Sequence, residues 1–440
     1  MTPRRATPAA VSTGIAATVA APQPRPPEGL YIHFPFCVSL CPYCDFVVVA
    51  GAAARGPENR IEALLAAVGH ELELRTAALD ERFGVAREPL ASVYLGGGTP
   101  SLMRAEQVAV LLGLVEERLG IAGDAEITLE ANPGADEIGD LAGFRAAGVN
   151  RLSIGAQSLD DGELRRLGRR HRAIDVVAAV DTARVAGIDS VSLDLLTDLP
   201  GQTIGSWRAT LTAALELAPE HLSAYTLTLD DPGAEGLTGP DGDHLPVSRG
   251  ARAWRERAVD EQSDERAAEM ELLTDELASA GGLRRYEIAN LARPGLESRH
   301  NLLYWRRRPY LALGPGAHAS DGGLRRTWNA ARLDGYIGAL DGGRLPPGGA
   351  EEIDPATALA ERAILGLRLV EGIDAGLAAE PDLAPALDWA RSQGLAEDAA
   401  GRTRLTQSGR LLANELFTRL LPDLPDDAAP AVAAGSDAGA

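Results

Sequence analysis

The sequence predicts an α/β protein whose helices alternate with the strands of a parallel sheet, followed by a C-terminal α+β region. Short β-rich runs alternate with helical patterns from residue 30 to about residue 290, an order typical of βα units. The segment 145–154 is echoed by 184–193. From about residue 354 to 421 the pattern changes to two helices, a hairpin-like segment and a final helix, which suggests a winged-helix-like module.

The candidate strands are 30–34, 92–95, 126–130, 151–154, 190–195, 221–227 and 285–288. An amphipathic helix follows the first of them and carries apolar residues on one face: Ile61, Leu64, Leu65, Val68 and Leu72. In both echoed segments a helix ends at a glycine suited to a left-handed conformation, and a buried strand follows. One repeated βα unit favours a barrel-type wall over a doubly wound sheet, and two independently similar αβ turns are the alternative. The stretch 230–264 is rich in Gly, Pro and charge, which predicts a long loop or an insertion.

The composition of the chain argues against several classes of function. The 440 residues include 42 basic and 63 acidic side chains, for a net charge of −21. This acidity disfavours general binding to nucleic-acid backbones, which needs clustered Lys and Arg. No apolar run approaches the roughly 20 residues of a membrane helix. Residues 1–27, rich in Ala and Pro, are expected to be a disordered extension rather than a secretory signal. The tail 422–440, rich in Ala, Asp and Pro, is also expected to be disordered.

The chain has three cysteines, and they follow the first candidate strand in a C-x3-C-x2-C pattern: Cys37, Cys41 and Cys44. A short, odd-numbered group does not suit a disulfide framework and indicates a metal or redox site in a reducing cytoplasm. Thiolates are suited to iron–sulfur clusters, and three of them leave one iron of a cubane [4Fe–4S] cluster open for chemistry. Two alternatives remain. One is a closed zinc site in which His33 is the fourth ligand, and the other is that the cysteines are ordinary buried core residues.

This pattern resembles the signature of the radical S-adenosylmethionine (SAM) superfamily. The flanking sequence Y-I-H-F-P-F-C at 31–37 is similar to that of the oxygen-independent coproporphyrinogen III oxidase family. The resemblance implies a partial (β/α)6 barrel, a [4Fe–4S] cluster on the three cysteines, and SAM chelated to the open iron. In such proteins, electron transfer from the reduced cluster cleaves SAM to a 5′-deoxyadenosyl radical.

Glycine and polar residues follow successive candidate strands, at the end where a βα barrel carries its site. The run G-G-G-T-P at 96–100 lets the backbone approach a ligand closely. The resemblance implies SAM contacts for nine residues: Tyr31, Tyr43, Gly97, Gly98, Thr99, Glu130, Gln157, Arg169 and Asp194. Arg169 lies in the basic run 165–172, so a solvated helix face is the alternative for it. Thr197 and Asp198 replace the Tyr-Gly of relatives, which puts the local loop geometry in doubt.

Two features are similar to the haem-chaperone (HemW-type) branch of this family. Phe46 stands where the oxidases carry a fourth cysteine, and H-N-x-x-Y-W at 300–305 matches the chaperone motif. The resemblance implies haem binding at His300, because imidazole ligates haem iron. The alternative is that the motif is a polar cap beside two aromatic residues of the core. His318, in G-P-G-A-H, is a second candidate ligand, and Arg306, Arg307 and Arg308 are candidate partners of haem propionates.

We therefore expect a haem chaperone that carries a [4Fe–4S] cluster with exchangeable SAM and passes haem to an acceptor, such as a membrane-associated respiratory haem protein. A flavodoxin or ferredoxin is the expected reductant. Whether the protein is also an enzyme stays open. The alternatives are an oxygen-independent coproporphyrinogen III oxidase that converts propionates to vinyls, and a methyltransferase or cyclopropanase on the same scaffold. A winged-helix DNA-binding regulator is disfavoured by the acidic charge.

The expected domain organisation has five segments. They are a disordered extension (1–27), the partial barrel (28–245), a chaperone-type extension that carries the H-N-x-x-Y-W motif (246–350), the winged-helix-like module (351–421) and a disordered tail (422–440).

Overall fold

The computed structural model describes residues 22–54, 60–229 and 240–422. The strands, in chain order, are β1 Gly29–Phe34, β2 Phe36–Cys37, β3 Val49–Ala50, β4 Leu90–Gly97, β5 Ile121–Ala131, β6 Arg151–Gln157, β7 Ser190–Thr197, β8 His221–Thr226, β9 Arg284–Arg285, β10 Asn290–Ala292, β11 Tyr310–Leu313, β12 His318–Ser320, β13 Arg325–Asn329, β14 Gly348–Glu352, β15 Ile373–Asp374, β16 Ala396–Ala399 and β17 Arg402–Leu405. The helices are α1 Ile61–Phe83, α2 Ala105–Leu119, α3 Leu141–Ala146, α4 Asp161–Arg166, α5 Ala173–Val185, α6 Ile204–Glu216, α7 Arg249–Val259, α8 Asp264–Ala280, α9 Arg299–Trp305, α10 Leu333–Asp341, α11 Pro355–Arg368, α12 Ala375–Ala378, α13 Ala384–Ser392, α14 Gln407–Leu411 and α15 Ala413–Leu420.

Six strands form a continuous parallel wall in the order β1, β4, β5, β6, β7, β8. Parallel neighbours need crossover connections, and helices α1 to α6 lie between these strands in the chain. Strands β1, β6 and β7 are buried along most of their length, as expected where helices cover a sheet. The predicted wall of βα units is confirmed.

The repeated segment marks two equivalent turns in this wall. Gly148, between α3 and β6, has φ +113°, and Gly187, between α5 and β7, has φ +75°. Both conformations favour glycine because it lacks a Cβ. Arg145 Nε also donates to Gly187 O at 2.7 Å, which joins the two turns.

The last candidate strand, 285–288, is wrong as a barrel strand. The chain forms β9, turns, and returns as β10, which pairs antiparallel with both β9 and β8. The buried carboxylate of Glu287 stabilises the turn, because its Oε1 accepts from Ala289 N at 2.9 Å and Asn290 Nδ2 at 2.5 Å. Side-chain acceptors of this kind compete with continued strand pairing.

The C-terminal half of the chain extends the same sheet. Strand β11 pairs parallel with β1, and β12, β13 and β14 follow it antiparallel, so that the sheet has twelve strands. One hydrophobic core runs from Leu30 to Leu340. The division into domains at residues 245 and 350 stays a prediction.

Residues 355–420 pack around a second core, which extends from Ala363 to Leu420. The predicted hairpin is present, because β16 and β17 pair antiparallel, and β15 joins the other edge of β17. The winged-helix assignment of this module stays a prediction. The module is joined to the barrel by ion pairs, including Arg368–Glu287 at 3.1 Å.

The loop expected over 230–264 is wrong for 249–259, which forms α7. Ser248 caps this helix by accepting from Ala251 N at 3.2 Å, a preferred N-cap arrangement. Residues 230–239, and the expected disordered segments over 1–21 and 423–440, lie outside the described residues. None of the described helices combines the length and apolar character needed to cross a bilayer.

Candidate functional site

A cavity of about 480 Å³ opens at the carboxyl ends of the parallel strands. Ten of the residues singled out in the sequence line it: Cys37, Cys41, Tyr43, Cys44, Gly97, Gly98, Glu130, Gln157, Arg169 and Asp194. Thr99 lies behind this wall and contacts Cys37. Tyr31 lines a neighbouring cavity, and His300 is buried between α9 and β4.

The three cysteines lie on one short loop held at both ends. Cys37 ends β2, which pairs with β3, and Cys44 N donates to Cys41 O at 3.2 Å. Arg255 of α7 donates to Pro42 O at 3.1 Å and Cys44 O at 3.0 Å. It also pairs with the Asp45 carboxylate. All three thiols are free and half-buried, and they face the cavity together.

The thiols have donors suited to thiolates. Thr99 Oγ1 donates to Cys37 Sγ, and Arg169 Nη1 donates to Cys41 Sγ, each at 3.5 Å. Burial nevertheless raises the pKa of Cys37 to about 11 and that of Cys44 to about 12. Metal ligation requires thiolates, so the positive charge of a bound iron cluster would complete the stabilisation that Arg169 begins. The residues present therefore fit a cluster held by three cysteines.

His33 does not suit the fourth position of a zinc site. Its Nδ1 is hydrogen-bonded to Tyr31 OH at 2.8 Å and its Nε2 to Val47 O at 2.7 Å. Burial lowers its pKa to about 4, which keeps the ring neutral. Both nitrogens are engaged, so His33 supports the strand end rather than a metal.

Arg169 is fixed in the cavity wall rather than on a solvated helix face. Its Nη2 donates to Asn132 Oδ1 at 2.6 Å and to Gly155 O at 2.7 Å. Its buried Nε has no hydrogen-bond partner among the described residues. A buried guanidinium with a spare donor is suited to an anionic ligand such as a carboxylate.

The glycine run is shaped by close backbone approach. Gly97 has φ +109°, and a Cβ there would lie 2.4 Å from the His33 ring. At Gly98 a Cβ would lie 2.6 Å from Phe36 O. Side chains are therefore excluded at both positions, because the glycine backbone packs directly against His33 and Phe36.

Glu130 lies beside this run. Its Oε1 accepts from Tyr94 OH at 2.8 Å and its Oε2 from Gly97 N at 2.9 Å. Burial raises the pKa of Glu130 to about 7, with the two hydrogen bonds opposing the shift. Its carboxyl group therefore changes charge near neutral pH.

Gln157 ends β6, and Asp194 lies in the second half of β7. Asp194 accepts from Ser153 Oγ at 2.9 Å and from Ser192 Oγ at 3.3 Å, and burial raises its pKa. Gln157 has φ +63° where the β6–β7 register shifts. These features direct polar groups into the cavity.

Sequence reasoning missed several residues of the site: Tyr94, Asn132, Arg151, Ser153 and Arg255. Tyr94 alternates in β4 with the buried Val93 and Leu95, so strand alternation was a usable signal for it. For Arg255 there was no such signal, because α7 was expected to be a loop.

His300 is locked by its neighbours. Its Nδ1 is hydrogen-bonded to Ser92 Oγ and its Nε2 to Tyr304 OH, both at 2.8 Å, and 1% of the residue is exposed. Burial lowers its pKa to about 3. Neither ring nitrogen is available to haem iron in this arrangement, which argues against the predicted ligation by His300. The contacts explain the motif instead as a clamp between α9 and β4.

The three arginines after the motif form ion pairs with carboxylates. Arg306 pairs with Glu371 at 2.9 Å, Arg307 with Glu361 at 3.4 Å and Arg308 with Glu28 at 2.6 Å. These pairs join α9 to the C-terminal module and to the start of β1. They give the arginines a structural role.

Known proteins resemble this chain along most of its length. Residues 31–214 match the model of the Radical SAM superfamily, and residues 353–412 match the HemN C-terminal domain. The heme chaperone HemW of Mycobacterium tuberculosis is 36% identical over 91% of this chain and 96% of its own length. HemW of Escherichia coli is 33% identical over 90% of this chain and 99% of its own length. The solved coproporphyrinogen III oxidase (HemN) of Escherichia coli superposes with a TM-score of 0.72 at 22% identity, covering 90% of each chain, and so shares the fold.

Proposed function

Because the chain belongs to the HemW family of radical SAM proteins, we propose that it is a haem chaperone that carries a [4Fe–4S] cluster and SAM. The observation that carries this proposal is similarity to heme chaperones along about nine tenths of the chain. Phe46, in place of the fourth cysteine of the oxidases, supports the same branch. We place the protein in the cytoplasm, where free thiols persist.

The residues have separate roles in this proposal. Cys37, Cys41 and Cys44 hold the cluster. Arg169 faces the carboxylate of SAM, and Glu130 faces its amino group beside the glycine run. When bound, the cluster and SAM together supply one-electron chemistry. The protein's own contribution is to orient these groups and to limit water, since the ionisable walls are buried.

Transfer requires two further partners. A one-electron donor such as a flavodoxin or ferredoxin reduces the cluster, and a haem protein, such as a respiratory one, accepts the haem. Support for a donor comes from the open cavity beside the cysteine loop. The acceptor follows from the carrier function itself.

An anaerobic titration with haemin tests the proposal. The cluster-loaded full chain is titrated and followed by absorbance, and the complex is then mixed with apomyoglobin as a model acceptor. We expect saturable binding of a single haem per chain, followed by transfer. Failure to bind haemin saturably would exclude a haem carrier.

The oxidase alternative is separated by a product assay. Coproporphyrinogen III is incubated anaerobically with the protein, SAM and a reductant. We expect no protoporphyrinogen, and its formation would replace the chaperone proposal with the oxidase. Methylated or cyclopropanated products would indicate the remaining alternatives.

A further inference from the structure

A second cavity, of about 350 Å³, lies on the other side of the cysteine loop. Aromatic side chains line much of it: Tyr31, Phe46, Tyr304 and Tyr310. Asp45 and Phe46 line this cavity and the cysteine-lined cavity alike. The two cavities therefore share the wall that directly follows Cys44. Phe46 is 65% exposed, which leaves a large apolar ring accessible at this wall.

The same cavity contains two histidines joined by one carboxylate. His318 Nε2 lies 3.1 Å from Asp243 Oδ2, and His244 Nδ1 lies 3.0 Å from Asp243 Oδ1. Each ring thus directs one nitrogen to Asp243. His318 Nδ1 and His244 Nε2 have no hydrogen-bond partner among the described residues.

This arrangement is typical of metal-binding imidazoles. A ligating histidine commonly donates its other ring N–H to a carboxylate, which fixes the tautomer and makes the ligating nitrogen more basic. Burial lowers the pKa of His318, which favours the neutral ring. Both side chains stay accessible, with 48% of His318 and 35% of His244 exposed.

The other histidines are less suited to iron. His33, His221 and His300 each have both ring nitrogens engaged by protein groups. His171 is buried, with Nε2 bonded to Ala156 O at 3.0 Å. His70 lies exposed on α1, away from both cavities. His244 and His318 are therefore the pair that combines an aromatic cavity with available nitrogens.

Building on the proposed haem-carrying function, we propose that this second cavity is the haem site and that the pair His244/His318, oriented by Asp243, supplies the axial ligand. The macrocycle packs against Phe46, Tyr304 and Tyr310, whose faces suit a flat aromatic ligand. The cavity is small for a whole haem, so one edge stays outside, where an acceptor reaches it. The shared wall places this haem next to the cluster loop.

The test is an anaerobic haemin titration of the cluster-loaded full chain, with absorbance reporting both affinity and axial ligation. Four variants are compared with the wild type: the double variant His244→Ala/His318→Ala, Asp243→Asn, His300→Ala and the matched surface control His70→Ala. We expect the double variant to lose the imidazole-ligated spectrum. Asp243→Asn should bind about 10-fold more weakly, as is usual when the carboxylate partner of a ligating histidine is lost. His300→Ala and His70→Ala should keep the wild-type spectrum.

Iron and sulfide content and circular dichroism, measured on each variant, show that the fold and cluster are retained. A double variant that binds haemin like the wild type, with the same spectrum, would overturn this site and leave the proposed carrier function standing. Loss of the imidazole spectrum in His300→Ala alone would likewise overturn it in favour of the motif histidine. A wild type that binds no haemin would overturn the carrier function itself.

Discussion

The backbone amide of Gly97 donates to Glu130 Oε2 at 2.9 Å, which links the ends of two neighbouring strands at the cavity floor. Gly97 ends β4, and Glu130 lies near the end of β5. Tyr94 OH donates a hydrogen bond to the other carboxylate oxygen of Glu130. The site thus holds a buried acid in a fixed orientation, and its charge becomes favourable when a cationic group approaches.

The first prediction concerns the pH dependence of SAM binding. Burial raises the pKa of Glu130 to about 7, so the carboxyl group is mostly neutral below that pH and charged above it. If Glu130 faces the amino group of SAM, whose N–H groups donate more strongly to a charged carboxylate, affinity should rise between pH 6 and pH 8. Equilibrium binding of SAM to the cluster-loaded protein measures this. The variant Glu130→Gln reports the titration of SAM alone, and an equal pH dependence in both proteins would contradict the assignment.

The second prediction concerns Arg255. This side chain holds Pro42 O and Cys44 O of the cysteine loop, so Arg255→Gln should loosen the geometry of the ligands. Loss of a group that orients metal ligands typically costs about 10–100-fold in metal affinity. Iron and sulfide per chain, measured after reconstitution and during challenge with a chelator, should fall.

Arg252→Gln is the matched control for this variant, because Arg252 lies on the same helix and is exposed. It should keep its cluster. Equal retention of iron by both variants would show that α7 does not position the loop.

The third prediction concerns the buried carboxylate of Glu71. It accepts from Gly314 N at 3.0 Å, Tyr336 OH at 2.6 Å, Arg75 Nε at 2.6 Å and Asn329 Nδ2 at 2.8 Å. Glu71→Ala leaves the largely buried guanidinium of Arg75 without its carboxylate and removes one acceptor from each of three further donors. The free energy of unfolding should fall by about 3–5 kcal/mol, seen as a lower thermal midpoint.

Glu73→Ala serves as the control on the same helix. Glu73 pairs with Arg118 near the surface, and about half of its side chain is exposed. Such pairs contribute about 0–1 kcal/mol. A similar drop for both variants would show that the buried network is not the cause.

The fourth prediction assigns a structural role to His300. His300→Ala leaves Ser92 Oγ and Tyr304 OH without their shared partner, a loss of about 1–3 kcal/mol for buried polar groups. Thermal unfolding should therefore be shifted downward, and Tyr304→Phe should shift it in the same direction. An unchanged midpoint in both variants would contradict the clamp between α9 and β4.

The local signals in the sequence predicted the parallel wall because each of its strands contains a short run of apolar, mostly buried residues. They also predicted the cysteine loop, since its ligands lie within eight positions of one another. Strands β11 to β14 were missed. Strand β13, Arg325–Asn329, is short and polar, and a partner strand rather than its own pattern holds it in the sheet.

The site residues that were predicted lie at the end of a strand or within a short sequence motif. Arg255 and Asn132 were missed because tertiary contacts alone bring them to the cavity. His300 illustrates the opposite case. A motif singles out the residue, but its role depends on Ser92, more than two hundred positions away, and no local pattern reports that contact.

Strand order also determines when each strand can pair with its neighbours during synthesis. Strand β1 leaves the ribosome first, and it pairs with β4 on one side and with β11, Tyr310–Leu313, on the other. One edge of β1, beside the cysteine loop, therefore stays open until β11, which ends at residue 313 of 440, has been made. Exposed strand edges are sites of mispairing in nascent chains. Cluster insertion is thus best timed after β11 has left the ribosome and closed that edge.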